Sequence, residues 1–313
     1  MSKPSPILPH MPWNVKKLIV ASADTITKFS LNSCSTDFNE LVARSQIAYR
    51  SLSIDISLAR ATIRLNIDSN NSVGHVLRRD PFRRGCTIIS DKKIINRNML
   101  EMTLETTVKV FKNPKVFLQK LELFIDEDTQ NVFLNGLQMF FVSQNRKVSV
   151  EHLHLKFDGT EDDILKVLPY LKPSSLKSIE FSASKFTLFD FEPVPEINLS
   201  QVAETDQWKE AEKLTVKGYR FELPVEQWSH FKDVKVEIPH LTVALIQDIL
   251  QAFTNSAGWK TISIRYKHMD LEEVLQHFAE AELLLSSGQF TIRYSEHVAM
   301  TITNFVVTIE KTD

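Results

Sequence analysis

The sequence predicts a mixed α/β protein in which a short helical module precedes a long region of alternating strands and helices. Two observations support this prediction. Before about residue 48 the apolar side chains recur at helical spacing, whereas from residue 118 onward a six-residue strand pattern recurs between helical stretches. The expected boundaries are residues 8–48 for the helical module, 49–99 for connecting strands and a loop, and 100–313 for the repeated region.

Three short helices account for the N-terminal module. The first apolar run follows Pro12, and the second follows Asp24, a residue type that favours helix starts. The three runs contain Val15, Leu18 and Ile19, then Ile26 and Leu31, then Cys34, Phe38 and Leu41. Because each run has one apolar side, the three helices are expected to pack against each other as one compact unit.

From residue 118 onward, the pattern apolar-x-x-apolar-x-apolar marks successive strands. The copies begin at Leu118, Val150, Leu176, Ala211, Phe231 and Trp259. They lie roughly 20 to 35 residues apart, which brackets the spacing of leucine-rich repeats. One strand and one helix cannot bury their apolar faces alone, so stacking is expected. The pattern therefore predicts an irregular leucine-rich-repeat-like strand–helix array.

The stretches between these strands carry helix signals. Residues 131–143 contain an apolar stripe, and the run from Thr160 to Asp163 has the residue types of a capping box. That helix is expected to stop near Pro173, and Asp270 can cap a later helix. Short alternating strands are expected around residues 52–65, and residues 290–310 predict two terminal strands.

Residues 69–91 are predicted to form a linker, since they contain Gly74, Pro81 and Gly85. Four arginines in this segment, Arg78, Arg79, Arg83 and Arg84, surround Phe82. An aromatic ring among arginines is one mark of nucleic-acid binding. A solvated loop is the simpler interpretation, because the net charge of the chain is only −2. Direct binding of nucleic acid is therefore not expected.

Composition excludes several classes of function. Two cysteines are too few for a disulfide framework or a cysteine zinc cluster. The sequence contains no glycine-rich phosphate-binding motif and no nucleophilic-serine motif. We therefore expect no enzymatic activity and no cofactor. Without an apolar run long enough to cross a bilayer, or a recognisable secretory signal, we expect an intracellular protein, cytoplasmic or nuclear, that does not bind membranes.

Two parts of the chain carry a family resemblance. The run MPWNVKKLIVASADTITKFSLNSCSTDFNEL resembles an F-box. The matching positions are Met11, Pro12, Val15, Ile19, Asp24, Leu31 and Cys34. The segments MLEMTLETTVKVFKNPKVFLQKLELFI, ILKVLPYLKPSSLKSIEF and DQWKEAEKLTVKG resemble the FTH domain of nematode F-box proteins. Together the resemblance covers about residues 11–48 and 100–290.

The resemblance implies the substrate-recognition subunit of a Skp–cullin–F-box ubiquitin ligase. The F-box would bind a Skp-type linker, and through it a cullin, while the FTH-like domain would bind a target protein. The residues expected to contact the linker are Pro12, Trp13, Val15, Ile19 and Leu31. Ala23 and the pair Asn32-Ser33 depart from the F-box pattern. These departures leave open a ligase-independent scaffold that binds, for example, an RNA-binding translational regulator.

Alternation along the strands predicts where the target binds. Side chains between the apolar positions point to the opposite face of the sheet, and their mixed charge suits a protein better than an apolar small molecule. The candidate target-binding residues are Lys120, Glu122, Phe124, His152, His154, Lys156, Glu180, Lys213, Lys217, Lys235 and Arg265. His152 and His154 could begin a metal site, but the sequence signals no third ligand, so no bound metal is expected.

Overall fold

The computed structural model describes most of the chain. The described residues are 11–23, 27–28, 31, 35–45, 47–67, 71–79, 86–88, 93–95, 97–184, 195–221, 223–255, 258–278, 282–286, 289–295, 297–303 and 306–311. The expected roles of Asp24, Ile26 and Cys34 in the N-terminal helices fall outside these residues. The same holds for Phe82, Arg83 and Arg84.

Helices occur along the whole described chain. They are α1 (Trp13–Ser22), α2 (Thr36–Arg44), α3 (Met99–Phe111), α4 (Glu127–Gln144), α5 (Glu161–Leu165), α6 (Ser200–Ala203), α7 (Asp206–Glu210), α8 (Val243–Asn255) and α9 (Leu271–His277). Strands alternate with them, so the predicted mixed α/β class is confirmed. The helices predicted at residues 131–143 and after Asp270 are confirmed as α4 and α9.

The strands are numbered in chain order. They are β1 (Ile47–Ile56), β2 (Arg60–Asn66), β3 (Ser72–Arg79), β4 (Cys86–Ile88), β5 (Lys93–Ile95), β6 (Val116–Ile125), β7 (Ser149–Phe157), β8 (Ser178–Ser182), β9 (Glu196–Ile197), β10 (Lys213–Lys217), β11 (Arg220–Phe221), β12 (Asp233–His240), β13 (Thr261–His268), β14 (Glu282–Ser286), β15 (Gln289–Ser295), β16 (Val298–Ile302) and β17 (Val306–Lys311).

The chain forms two compact units. Unit 1 comprises Met1–His152 and Tyr170–Ser175, and unit 2 comprises Leu153–Pro169 and Leu176–Asp313. In unit 1, β1 pairs in parallel with β6 and antiparallel with β2, and the sheet continues antiparallel through β3, β4 and β5. The short strands expected around residues 52–65 are thus confirmed as β1 and β2.

The sheet of unit 2 combines parallel and antiparallel strands. Residues 153–157 of β7 lie next to β8, and β8, β10, β12 and β13 follow in order with parallel pairing. Strand β17 then pairs antiparallel with β13, and β16, β15 and β14 continue the sheet with the same antiparallel pairing. A separate parallel pair joins β9 and β11.

The apolar positions of the recurring pattern form the core of unit 2. Ile179, Leu214, Val234 and Ile262 lie side by side in register on β8, β10, β12 and β13, and all four are fully buried. Removing such side chains from water is the main favourable term in folding. The strand register predicted from alternation is therefore confirmed on this sheet.

Three buried tryptophans extend the core of unit 2. Trp228 and Trp259 lie with ring centroids 5.4 Å apart, and Trp208 meets Phe231 edge to face at 4.9 Å. The indole N–H of Trp208 donates to the carbonyl of Gln227 at 2.8 Å, and that of Trp228 donates to the backbone. Because each of these two rings has a partner for its polar atom, burial brings little desolvation penalty.

The helix that follows Thr160 is shorter than predicted. Its capping box is present, since the backbone N–H of Thr160 donates to the carboxylate of Asp163 at 3.1 Å. However, α5 ends at Leu165, and a short 3-10 turn at Leu168–Tyr170 replaces the expected last turns. Pro169 lies in that turn and has no N–H to continue a helix.

Two other predictions are wrong. Ser72–Arg79 is not part of a linker but forms β3, which pairs with β2 and buries Leu77. The prediction failed because Gly74 is unusual inside a strand. A Cβ atom at this position would lie 3.2 Å from the carbonyl oxygen of Ile63, so the close approach of β2 and β3 favours glycine. Residues 290–310 contribute to three strands, β15, β16 and β17, rather than two.

Candidate protein-interaction surfaces

The first candidate surface lies on α1 in unit 1. Trp13 stands at the start of this helix, and Val15 and Leu18 are three positions apart and so lie on one side. The three side chains are 45%, 36% and 70% exposed, respectively. We call Val15 and Leu18 the α1 surface; Trp13 lies three positions before Lys16 and so on another side of the helix. Exposed apolar side chains so close together are typical of a protein-binding site.

The opposite side of α1 is held by α2. The ammonium group of Lys16 is buried, lies 2.5 Å from a carboxylate oxygen of Asp37 and approaches the ring of the buried Phe38. Val20, one turn further along α1, is also buried. Since a buried ammonium group needs a partner, this pairing fixes which side of α1 faces solvent.

The predicted linker-binding residues divide by exposure. Pro12, Trp13 and Val15 are exposed and Ile19 is half-buried, but Leu31 is buried and offers little area to a partner. Leu18 is the most exposed of the apolar residues on α1 and was absent from the predicted set. Helical spacing alone places it beside Val15; its exposure depends on how α1 packs.

The second candidate surface is the polar face of the unit 2 sheet, opposite the buried apolar row. The polar face comprises His154, Lys156, Ser178, Glu180, Ser182, Lys213, Thr215, Lys217, Asp233, Lys235, Glu237, Thr261, Ser263 and Arg265. It therefore brings together seven of the predicted target-binding residues. These are His154, Lys156, Glu180, Lys213, Lys217, Lys235 and Arg265.

Neighbouring strands place opposite charges together on the polar face. Glu180 lies 2.8 Å from the ammonium group of Lys217 and 3.7 Å from the imidazole of His154, which also forms a 2.9 Å hydrogen bond with Ser182. Glu180 thus lies close to side chains from both neighbouring strands. Cross-strand pairs of opposite charge stabilise a sheet modestly.

Two further ion pairs continue this arrangement. Asp233 lies 3.8 Å from Lys213, and Glu237 lies 3.6 Å from Arg265 while accepting a 3.0 Å hydrogen bond from the backbone N–H of Gly218. Gly218 has a positive φ of 71°, which suits glycine. Each acidic group of the polar face thus has at least one partner within the fold.

Acidic and basic side chains differ in exposure on this face. In the three cross-strand lysine and arginine pairs the carboxylates are 14% to 30% exposed, whereas the cations are 48% to 56% exposed. Lys156 and Lys235 make no side-chain hydrogen bond or ion pair within the described part of the chain. The long cationic side chains therefore form the outer layer of the polar face, and the shorter carboxylates lie beneath them.

The other four predicted target-binding residues belong to unit 1. Lys120, Glu122 and Phe124 lie on β6, with the Lys120 ammonium group 2.7 Å from the Glu122 carboxylate. His152 lies at the unit 1 end of β7 and is half-buried. Within this set Glu122 is again less exposed than its lysine partner.

The geometry adds little support for the two alternative sites considered from the sequence, a nucleic-acid site at the arginines and a metal site at the histidines. Arg78 and Arg79 lie on β3, and Arg78 is exposed. His152 and His154 lie two residues apart on β7, and both are half-buried. In the part of the chain that the structure describes, no three histidine, cysteine, aspartate or glutamate side chains are grouped so that they could hold a metal ion.

A cavity of about 850 Å³ opens beside the ends of β12 and β13 in unit 2. The rings of His240 and His268 stack there at 5.2 Å, while the Tyr266 hydroxyl donates to the Thr303 carbonyl at 2.8 Å. Burial raises the pKa of Tyr266. Asp270 accepts a hydrogen bond from the α9 backbone. The hydrogen bonds of Tyr266 and Asp270 therefore stabilise the fold. The sequence contained no signal for this cavity.

Among the described residues, none of the helices combines the length and the apolar character needed to span a bilayer.

Comparison with known proteins identifies one domain. A search of the curated proteins gave no match. The model of the FTH domain matches residues 131–281, a range that begins in α4 and contains every residue of the polar face. The expected resemblance to this domain is thereby confirmed over that range. Residues 131–281 of the chain are therefore similar to the FTH domain.

Proposed function

We propose that this protein is a non-enzymatic adaptor that recruits a target protein to a Skp–cullin–F-box ubiquitin ligase. In this proposal the α1 surface binds a Skp-type linker, and the polar face binds the target. The protein itself performs no chemistry, needs no cofactor and works inside the cell. The observation that carries the proposal is an exposed apolar helix surface in the same chain as an FTH domain.

Support for linker binding comes from the α1 surface. A helix that needed only to fill the core of its own module would bury its apolar residues, yet Leu18 is 70% exposed and Trp13 is 45% exposed. Burial of Lys16 against α2 keeps the two faces of the helix distinct.

Support for target binding comes from the polar face. Its strands fix the backbone positions from which the charged side chains extend, so a partner would meet a surface whose backbone is already ordered. The mixture of ion pairs and exposed cations suits a polar protein surface. This reading also agrees with the protein-interaction role suggested by the FTH domain.

Linker binding can be tested with single substitutions. Substitutions are preferable to a deletion of residues 1–48, because the deletion would also remove the first residues of β1 and so change the fold of unit 1. We expect Leu18→Asp to weaken binding of a purified Skp-type linker by at least about tenfold, a loss of ~1.4 kcal/mol, because the carboxylate would be buried in the interface. Isothermal titration calorimetry with the full chain measures this change.

Met139→Asp is the matched control, since Met139 is an exposed apolar residue on a different helix, α4, with 73% exposure against 70% for Leu18. It should leave linker affinity unchanged. If the unmodified protein binds no Skp-type linker at micromolar concentration, the ligase proposal fails. The scaffold alternative, in which the FTH domain binds a regulatory protein directly, would then replace it.

A further inference from the structure

The polar face presents its charges at two depths. Glu180, Asp233 and Glu237 are recessed and each contacts a neighbouring side chain or backbone group, whereas the cations beside them project outward. Lys156 and Lys235 add two more positive charges to which no acid is paired in the described residues. A partner approaching this sheet therefore meets positive charge first, although the whole chain carries a net charge of −2.

We infer that the polar face of unit 2 binds an acidic, extended segment of a partner protein. The inference rests on the proposal that this face holds the target, and it specifies the chemistry of the contact. Glutamate or aspartate side chains of the segment would pair with the exposed Lys217, Lys235 and Arg265 and with the half-buried Lys156. The recessed carboxylates of Glu180 and Glu237 would hold Lys217 and Arg265, respectively, in place from below.

The spacing of the strands supports this geometry. Neighbouring strands lie roughly 4.8 Å apart, and alternate residues of an extended chain lie roughly 7 Å apart. The register places Lys235 opposite Thr215 and Arg265 opposite Glu237, so a segment crossing the sheet meets cations at best on every second strand, roughly 10 Å apart. Long lysine and arginine side chains can adjust to the remaining difference.

Nucleic acid fits this face less well than an acidic peptide. Continuous phosphates would pass close to Glu180, Asp233 and Glu237, and like charges at that distance repel. Proteins that bind single strands also stack bases on aromatic rings. Among the described side chains of the polar face, His154 is the sole aromatic one, and only 15% of it is exposed.

Binding can be measured with defined probes on the full chain. The probes are fluorescein-labelled decapeptides of glutamate and of lysine, and a ten-nucleotide oligouridylate, followed by fluorescence anisotropy at 50 and 200 mM salt. We expect the glutamate peptide to bind with a Kd below about 1 mM at low salt, and to bind several-fold more weakly at high salt because screening shortens the range of the attraction.

The variant Lys156→Ala with Lys235→Ala should weaken glutamate-peptide binding by at least about threefold, since two of the outer cations are removed. Neither lysine is paired within the described fold, so a thermal melt should show the variant as stable as the unmodified protein. Replacing the same two residues by arginine keeps the charge and should preserve binding. Lys209→Ala with Lys260→Ala removes equal charge outside the face and serves as the control.

Each outcome decides the inference. Absence of glutamate-peptide binding, equal binding of the lysine peptide, or equal weakening by the control variant would overturn it. Tighter binding of oligouridylate than of the glutamate peptide, with the same dependence on Lys156 and Lys235, would show a nucleic-acid surface instead. The assay contains neither linker nor target, so failure of the ligase proposal leaves this result unaffected.

Discussion

At the scale of single residues, Tyr219 shows how one polar atom is accommodated in the core of unit 2. Its side chain is fully buried, and its hydroxyl donates a hydrogen bond to the backbone carbonyl of Phe157. Burial, with a smaller contribution from the negative charge of Asp158, raises the pKa of Tyr219 above its ordinary value of about 10. The neutral hydroxyl is therefore the form that the fold stabilises.

This raised pKa predicts a pH dependence of stability. Below about pH 10 the tyrosine is neutral in both states, whereas above it the unfolded chain releases the proton and the folded protein keeps it. Because the folded state then binds more protons, stability falls as pH rises. At pH 7 we expect the free energy of unfolding of Tyr219→Phe to be about 1–3 kcal/mol lower than that of the unmodified protein, because the Phe157 carbonyl loses its partner. This difference in stability should narrow above about pH 10.

Urea unfolding at pH 7 and at pH 11 measures both effects. The other buried tyrosines are present in both the unmodified protein and Tyr219→Phe, so the difference in stability between these two proteins reports on Tyr219 alone. Tyr294→Phe is the control, because that ring is exposed and should show neither effect. A gap that stays constant from pH 7 to pH 11 would contradict the assignment.

At the scale of elements, the contact between α3 and α4 depends on one small residue. Gly136 lies in the middle of α4, where glycine is an unfavourable helix former. A Cβ atom at this position would collide with the Cδ2 atom of Leu104 on α3. Glycine at position 136 therefore allows the two helices of unit 1 to approach each other closely.

Gly136→Val should destabilise unit 1 by about 1–3 kcal/mol, because the added methyl groups force Leu104 or the helices apart. Asn135→Val is the control, because it introduces the same side chain at an exposed position of the same helix. It should change the free energy of unfolding by only a few tenths of a kcal/mol, through helix propensity. Thermal or urea unfolding of both variants provides the comparison. Equal stability of the two would show that the helices do not depend on this contact.

At the scale of the whole molecule, the two candidate surfaces belong to different units and share no residue. Effects of mutations without shared partners usually add. We therefore expect a combined variant, Leu18→Asp with Lys156→Ala and Lys235→Ala, to lose linker binding and glutamate-peptide binding each to the same degree as the separate variants. Titration of both probes against all three proteins checks this, and a non-additive loss would mean that the two surfaces are coupled.

Much of unit 2 could be predicted from the sequence because its signals are local. Alternation along a strand sorts side chains onto two faces without reference to other strands, so Leu214 was placed in the core and Lys213 and Lys217 on the polar face. Helix caps are equally local: the capping box at Thr160 and the cap of α9 by Asp270 involve residues three positions apart.

The predictions that failed concern features set by distant parts of the chain. The strand at Ser72–Arg79 is stabilised by pairing with β2, whose contribution no local pattern contains. The shorter α5 is an exception, because its cause is local: Pro169, a helix breaker, lies inside the expected helical stripe. Burial of Leu31 and exposure of Leu18 were likewise decided by packing, because periodicity groups residues on a helix side but does not say which side is covered.

The sequence by itself determined the mixed α/β class, the strand register around the buried apolar row, and that Lys213, Lys217, Lys235 and Arg265 lie on the face opposite that row. These depend on side-chain alternation and on helix caps, which act over a few residues. Only the tertiary structure decided which apolar residues of α1 reach solvent, and that carboxylates of the polar face lie beneath its cations. Both depend on contacts between residues distant in sequence, such as Lys16 with Asp37 and Glu180 with Lys217.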